Sequence, residues 1–373
     1  MCYFINAIFI STIAVTYVSS FSFYNHNLGK EKPPMLWNLM SQNFKSVARQ
    51  WFIRRAEKNG VPWRKIVEEY QDRLELIEPY KLKYENRSME YPNYYTQAFH
   101  GYDNGNLNWQ AALEAKSATL SISSLYWKNT DPVVAQEWMR NNATQSMIRY
   151  MQQYNTSSSS VHTIMDMGSS TGISTNFLYE AFPHSTILGV ELSPYFLATA
   201  LYDADMAPNS NILYLHANVE DVPIPDDSFD LITCQFLLHE VPYWKQINIL
   251  KEAHRLLKPE GTLAILDLNP YTVKRRLQGS SFRLWAFEST EPHIFDYYNH
   301  DMRSTMYDCG FINIAQVKND PMNVLWLGKK GGTILQSSTS LVQYNDEYWP
   351  PFLTKDKTRG SKRKNRLCPC PFL

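Results

Sequence analysis

Between residues 130 and 330 the chain alternates apolar strand-like runs with helix-like runs, and this alternation limits the available folds more than any other feature. Thr130-Asp131-Pro132 predicts a helix start, with Thr130 as N-cap and Pro132 in the first turn, running to about Gln153. The loop YNTSSSS then leads into VHTIMDMG, a buried strand. A helix from about Gly172 to Phe182 follows, then a strand TILGVEL, a helix from Pro194, a strand ILYLHAN and a helix or turn. FDLITCQFL reads as a strand, WKQINILKEAHRLL as a helix and GTLAILDL as a strand. Such alternation predicts an α/β fold with a parallel sheet and helices on both faces. HDMRSTMYDCG reads as a further helix ending at Gly310, and FINIAQVKND with NVLWLGKK as a hairpin-like closing pair.

Composition and charge narrow the class. With 44% hydrophobic and 19% charged residues the chain is globular. Lys plus Arg equals Asp plus Glu, at 36 each, which argues against a dedicated nucleic-acid binder. The cysteines, Cys2, Cys234, Cys309, Cys368 and Cys370, are odd in number and fit no zinc spacing, so neither a metal site nor a disulfide framework is expected. Four segments follow: a targeting segment at 1–20, a helical N-terminal extension at 21–128, the alternating domain at 129–330 and a basic tail at 331–373. The extension contains WRKIVEEYQDRLELIE, with Ile66, Tyr70, Leu74 and Ile77 at helical spacing. It also contains FHGYDNGNLNW, which suits either a loop folded over a pocket or a capped turn before the helix WQAALEAK.

The two ends give conflicting addresses. Residues 3–19 are nearly all apolar or small, Val18 and Ser20 suit signal cleavage, and an acid-poor stretch begins at Phe21. This resembles the bipartite plastid leader of algae with complex plastids. It implies a plastid destination through the secretory pathway, with another secretory compartment as the alternative. The tail ends in Cys370-Pro-Phe-Leu, the form of a prenylation box, with Lys362, Arg363, Lys364 and Arg366 upstream and Cys368 as a second lipid site. That reading makes the protein cytoplasmic with a lipidated C-terminus.

The chemistry centres on Asp166-Met-Gly168-Ser-Ser-Thr-Gly172, at a strand-to-helix turn. Glycines let the backbone turn tightly and approach a ligand. The helix N-terminus offers N–H groups to a carboxylate or phosphate. A dinucleotide site wants Gly-x-Gly-x-x-Gly, and the corresponding positions here are Gly168, Ser170 and Ile173. A ligand without a pyrophosphate tolerates a side chain at 170, and Asp166 suits an ammonium group. Glu191 ends the next strand, about twenty residues after the turn, where a carboxylate accepts from both ribose hydroxyls. The next strand ends in HANVEDVPIPDDSFD, which can bring a polar side chain and an amide to an adenine edge.

The segments DMGSSTG, GVELSP, EDVPIPDDSFDLI and LLKPEGTLAILD, in that order from Asp166 to Asp267, resemble the class I methyltransferases that use S-adenosylmethionine (SAM). The resemblance is to the type 11 group, near the ubiquinone and menaquinone biosynthesis enzymes. It implies a Rossmann-like, mostly parallel seven-stranded sheet and SAM as cofactor. It implies that Asp166, Gly168, Ser169 and Gly172 cradle the methionine moiety, Glu191 with Leu192 the ribose, and Asn218 with Val219 the adenine. Asn218 stands where the family usually has Asp. The implied reaction is in-line methyl transfer to a small-molecule acceptor, a lipid or quinone-like metabolite being candidates, with peripheral membrane contact. The rival readings are an NAD(P)-dependent oxidoreductase, which the missing middle glycine disfavours, and a non-catalytic SAM-binding protein.

In open α/β sheets ligands lie beyond the carboxyl ends of the strands. The fourth strand ends at QFLLHEVPYW, which makes His239 and Glu240 the candidate bases and Tyr243 and Trp244 candidate pocket walls. For His239 and Glu240 the alternative is capping the next helix or facing solvent. The insertion from Asp267 to His300, with Glu291-Pro-His293, is expected to cover the acceptor, as in related enzymes.

Overall fold

Strand β1 (Thr163–Met167) has no solvent face: four of its five residues are fully buried, because it lies mid-sheet with helices on both sides. The structure, a computed structural model, describes residues 49–98, 102–124, 127, 129–206, 211–277 and 291–331. The leader, the tail from residue 332, both lipidation cysteines, residues 278–290 of the insertion and Phe99 to Gly101 lie outside them.

The remaining strands are β2 (Thr186–Glu191), β3 (Ile212–His216), β4 (Phe229–Gln235), β5 (Leu257–Leu268), β6 (Phe311–Lys318) and β7 (Asn323–Lys330). They form one seven-stranded sheet in the order β3-β2-β1-β4-β5-β7-β6. Neighbours from β3 to β5 are parallel, and β7 runs antiparallel to both β5 and β6. The strand order reverses between β1 and β4, which places a crevice at their carboxyl ends. Alternate residues feed two cores. Met165, Ile232 and Leu263 face one side with Ile249 and Leu250; Ile164, Leu231 and Ala264 face the other with Met147 and Leu178.

The helices are α1 (49–58), α2 (Trp63–Gln71), α3 (Leu74–Tyr84), α4 (Trp109–Ser124), α5 (Pro132–Gln153), α6 (Ile173–Ala181) and α7 (Pro194–Met206). Beyond β4 come α8 (Tyr243–Leu256), α9 (Pro270–Leu277), α10 (Ile294–Tyr298) and α11 (Met302–Asp308). The N-cap of α5 is Asp131, not Thr130: its carboxylate accepts from Val133 N–H at 2.9 Å and Val134 N–H at 3.4 Å. Pro132 already has helical geometry, so the capping side chain must come from the residue just before it. The amphipathic run of the extension is two helices, interrupted at residues 72–73. Tyr70 and Ile77 are buried from it, while Ile66 and Leu74 are half-buried.

Tyr70, Ile77 and Leu113 of the extension pack on Ala198 and Tyr202 of α7, and Ala111 and Ala112 pack on Phe196. Tyr70 also donates its hydroxyl to Asp203 at 2.5 Å. Between α3 and α4 the chain crosses the carboxyl ends of β2 and β3. Asn86 N–H donates to His216 Nδ1 at 2.8 Å, and His216 Nε2 donates to the Leu192 carbonyl at 2.9 Å. Tyr94 donates to Glu220 at 2.9 Å.

Candidate active site

The turn after β1 is built from below. Asp166 is fully buried and its carboxylate accepts three hydroxyls, from Ser174 at 2.6 Å, Thr175 at 2.9 Å and Thr233 at 2.8 Å. Burial pushes its carboxyl above the usual range, and those hydroxyls oppose the rise. Asp166 thus ties the loop and the first turn of α6 to the sheet. Asp166 is not among the side chains lining the cavity, and its oxygens accept hydroxyls beneath the loop.

Above it, Gly168 and Gly172 adopt left-handed backbone with φ of 73° and 80°. A Cβ on Gly172 would run into the Tyr214 hydroxyl. A Cβ on Gly189 of β2 would sit 2.7 Å from the Tyr214 ring and 2.9 Å from Ser169 Oγ. The tyrosine of β3 therefore lies across β2, under the loop, in space that two glycines leave. Ser170 is left-handed too, with φ of 51°. That conformation costs roughly 1–2 kcal/mol in a residue with a Cβ. Its N–H donates to Glu191 Oε2 at 2.8 Å, and such a bond to a charged acceptor contributes about 1.5–3 kcal/mol, enough to offset the strain.

Glu191 is buried at the end of β2, where Ser193 N–H donates to its Oε1 at 2.7 Å and Tyr95 donates at 3.4 Å. Burial raises its carboxyl above the usual range against those bonds. Glu191 is thus clamped to the loop, with the weak Tyr95 contact open to exchange for a sugar hydroxyl. Ser169 Oγ is buried without any partner, beside the same cavity. Helix α6 begins at Gly172 with no side-chain cap, so its first amides are uncapped. These features suit a nucleoside carrying an amino-acid group. They do not suit a pyrophosphate: the amide of Ser170 is taken by a carboxylate, and that carboxylate would repel a phosphate. Leu192 and Val219 are buried and line the cavity, and Asn218 lines it half-buried. Asn218 Oδ1 accepts from Glu220 N–H at 3.0 Å, so one of its two lone pairs already serves its own loop.

One cavity of about 420 Å³ joins this loop to the ends of β4 and β5. His239 lines it in a 3₁₀ turn after β4 and is buried. Its Nδ1 lies 2.6 Å from Asp267 Oδ1, and its backbone N–H donates to the same carboxylate at 3.3 Å. Burial alone would lower the imidazole pKa; the Asp267 charge and hydrogen bond, with Glu240 and Glu291 nearby, outweigh it and raise the ring to about 9. Glu240, half-buried, and Glu291 of the insertion also line the cavity. The far wall comes from the extension: Phe52, Trp63, Tyr102, Ala118 and Ile122. There Arg49 pairs with Glu114, which also accepts the Tyr102 hydroxyl at 2.7 Å.

Sequence reasoning missed Asp267 as the partner of His239; its signal was an acid directly after the apolar run LAIL. It also missed Tyr95, Tyr214 and the wall residues Phe52 and Trp63. Both readings of FHGYDNGNLNW hold in its described residues. Tyr102 and Asn106 line the cavity, and Asn108 caps α4 by accepting from Ala111 N–H at 2.8 Å. Tyr243 and Trp244 do not wall the pocket and are 38% and 62% exposed. Helix α8 turns Gln246, Ile249 and Leu250 inward, so the first two residues of its opening turn face out.

Residues 165–265 match the family model described as "Methyltransferase domain". This segment is similar to that family. Over 88 residues, 24% of this chain, it is 35% identical to the demethylmenaquinone methyltransferase of Listeria welshimeri, covering 36% of that protein. A second relative, the demethylmenaquinone methyltransferase of Geobacillus kaustophilus, is 31% identical over 91 residues, 24% of this chain and 38% of that protein. The chain thus spans little more than a third of the length of these relatives. Among solved structures, human N-acetylserotonin methyltransferase in complex with SAM aligns at 14% identity, over 61% of this chain and 58% of that one, with a TM-score of 0.44.

Proposed function

We propose that this chain is a SAM-dependent methyltransferase acting on a small, flat, largely apolar acceptor of the quinone or hydroxyaromatic kind. The observation that carries the reading is continuity: the Gly168–Gly172 loop with Glu191 and the His239–Asp267 pair open on one cavity. The relatives named for demethylmenaquinone and the aromatic wall from the extension support the acceptor class.

When bound, SAM supplies a methyl group on a sulfonium and leaves as a neutral thioether. The loop and α6 would hold its amino-acid end, Glu191 its ribose, and Asn218 with Val219 its adenine. Because the leaving group needs no proton, the work of the chain is positioning in a water-poor space. Asp267 fixes the tautomer and direction of His239, whose Nε2 takes a proton from the acceptor hydroxyl. Glu240 and Glu291 add negative charge at the same end. Calorimetric titration with SAM and with NAD tests the cofactor. SAM should bind, NAD should not, and Glu191→Ala should abolish the affinity for SAM. A Glu191→Ala protein that binds SAM unchanged sinks the assignment. Transfer of labelled methyl from SAM to an extract, followed by mass analysis, separates an enzyme from a non-catalytic binder.

The reading extends to location. The N-terminal leader directs the protein through the secretory pathway to a plastid, which a fluorescent fusion to residues 1–60 tests; a cytosolic signal would overturn it. The acceptor is drawn from a membrane surface by peripheral contact. In support, the aromatic side chains of Trp244 and Tyr271, 62% and 79% exposed, open the helices next to the His239 end of the cavity. Flotation with lipid vesicles tests this, and protein left wholly in the unbound fraction would exclude it.

A further inference from the structure

Helix α5 buries Gln136, Met139, Arg140, Ala143 and Met147, the i, i+3, i+4 stripe that faces the domain. A cation on that stripe is anomalous. Arg140 is only 6% exposed, yet no carboxylate among the described residues pairs with it. Among the described residues its hydrogen bonding runs through Nη1 alone, which donates to the side-chain oxygen of Gln235, and its buried Nε has no acceptor there. The guanidinium lies over the Phe236 ring at 5.3 Å. Asp166 is near enough to be felt, but its oxygens are already engaged by three hydroxyls. Burial lowers the Arg140 pKa to about 10, the mark of a charge removed from water without full compensation.

Arg140 lines the same cavity as Gly168, Ser169 and Ser170. Gln235 ends β4, beside the end of β1, at the crevice where strand order reverses. Glu191 lies on the β2 side of that crevice and His239 beyond its β4 side. In SAM the sulfonium joins the sugar to the amino-acid chain, so a ligand with its sugar at Glu191 and its methyl turned to His239 runs its amino-acid arm from the sulfonium along the Gly168–Ser170 loop, on the cavity wall that Arg140 shares. We propose that Arg140 binds the carboxylate of the cofactor's methionine moiety, so that the ion pair of this buried guanidinium is completed by the ligand. The inference rests on the SAM reading and deepens it. Gln235 orients the guanidinium, and Phe236 supports its plane.

The test compares SAM with decarboxylated SAM, which differs only in lacking that carboxylate, by calorimetric titration. Wild-type protein should favour SAM. Arg140→Gln should lower SAM affinity by roughly 30-fold and leave decarboxylated SAM unaffected, since removing one partner of a buried ion pair has an effect of that order. Gln235→Glu keeps Arg140 but gives it an internal carboxylate, so it should produce the same selective loss; it decides the matter should Arg140→Gln not fold. Equal losses for both ligands, or no loss for SAM, would overturn the proposal. Wild-type protein that binds neither ligand would overturn the SAM reading as well, and is thereby distinguishable.

Discussion

At the scale of single residues, the His239–Asp267 pair sets the behaviour of the site with pH. With its ring raised to about 9, His239 is mostly a cation at neutral pH. A base must first be unprotonated, so kcat/KM should climb with pH and level off near 9. Asp267→Asn removes the charge that holds the ring up, and burial then takes its pKa down; the limb should move to lower pH. His239→Gln should reduce kcat by roughly 10²–10⁴-fold while affinity for S-adenosylhomocysteine is kept. A profile unchanged by either substitution would remove His239 from the chemistry. The same shift acts on folding. A histidine raised from 6.5 in the unfolded chain to about 9 contributes stability that is fully present below pH 6.5 and lost as pH rises through 9. Melting temperature should fall across that window, and less so in Asp267→Asn.

At the scale of elements, the turn between β1 and α6 depends on a strand it does not touch in sequence. Tyr214 of β3 fills the space over Gly189 and reaches Gly172. Gly172→Ala therefore has two penalties: left-handed backbone, roughly 1–2 kcal/mol, and a clash with the Tyr214 hydroxyl. Tyr214→Phe removes only the second. Thermal denaturation of the single and double variants should show Gly172→Ala destabilising less when combined with Tyr214→Phe than when introduced alone; equal destabilisation would place Tyr214 elsewhere. The β6–β7 pair is the element read most directly from sequence. Its two runs form the expected antiparallel pair, with β7 beside β5 and β6 at the edge of the sheet.

At the scale of the whole molecule, the extension is not an appendage. Its helices bury Ala198, Phe196 and Tyr202 of α7 and supply the far wall of the cavity. A chain beginning at residue 129 would expose that apolar face and open the site to water. It should elute as aggregate in size-exclusion chromatography and show no methyl transfer even if some SAM affinity persists. A monodisperse, active fragment would show that the extension neither stabilises the domain nor completes the acceptor side.

The sequence alone determined what is local or periodic. Strand and helix alternation yields the parallel sheet, since each run must bury its own apolar face. The loop glycines and Glu191 lie within a few dozen residues of one another, close enough for spacing to link them. Tertiary structure alone decided what joins distant segments. Asp267 meets His239 across two strand ends, Tyr214 lies under a loop from another strand, Arg140 reaches the crevice from the preceding helix, and the extension closes the pocket. No local pattern encodes such pairs, because each side chain would read the same in isolation. Asp166 makes the point in reverse: its position in the motif marked it as important, and only its three buried hydroxyl partners revealed that it holds the loop from beneath.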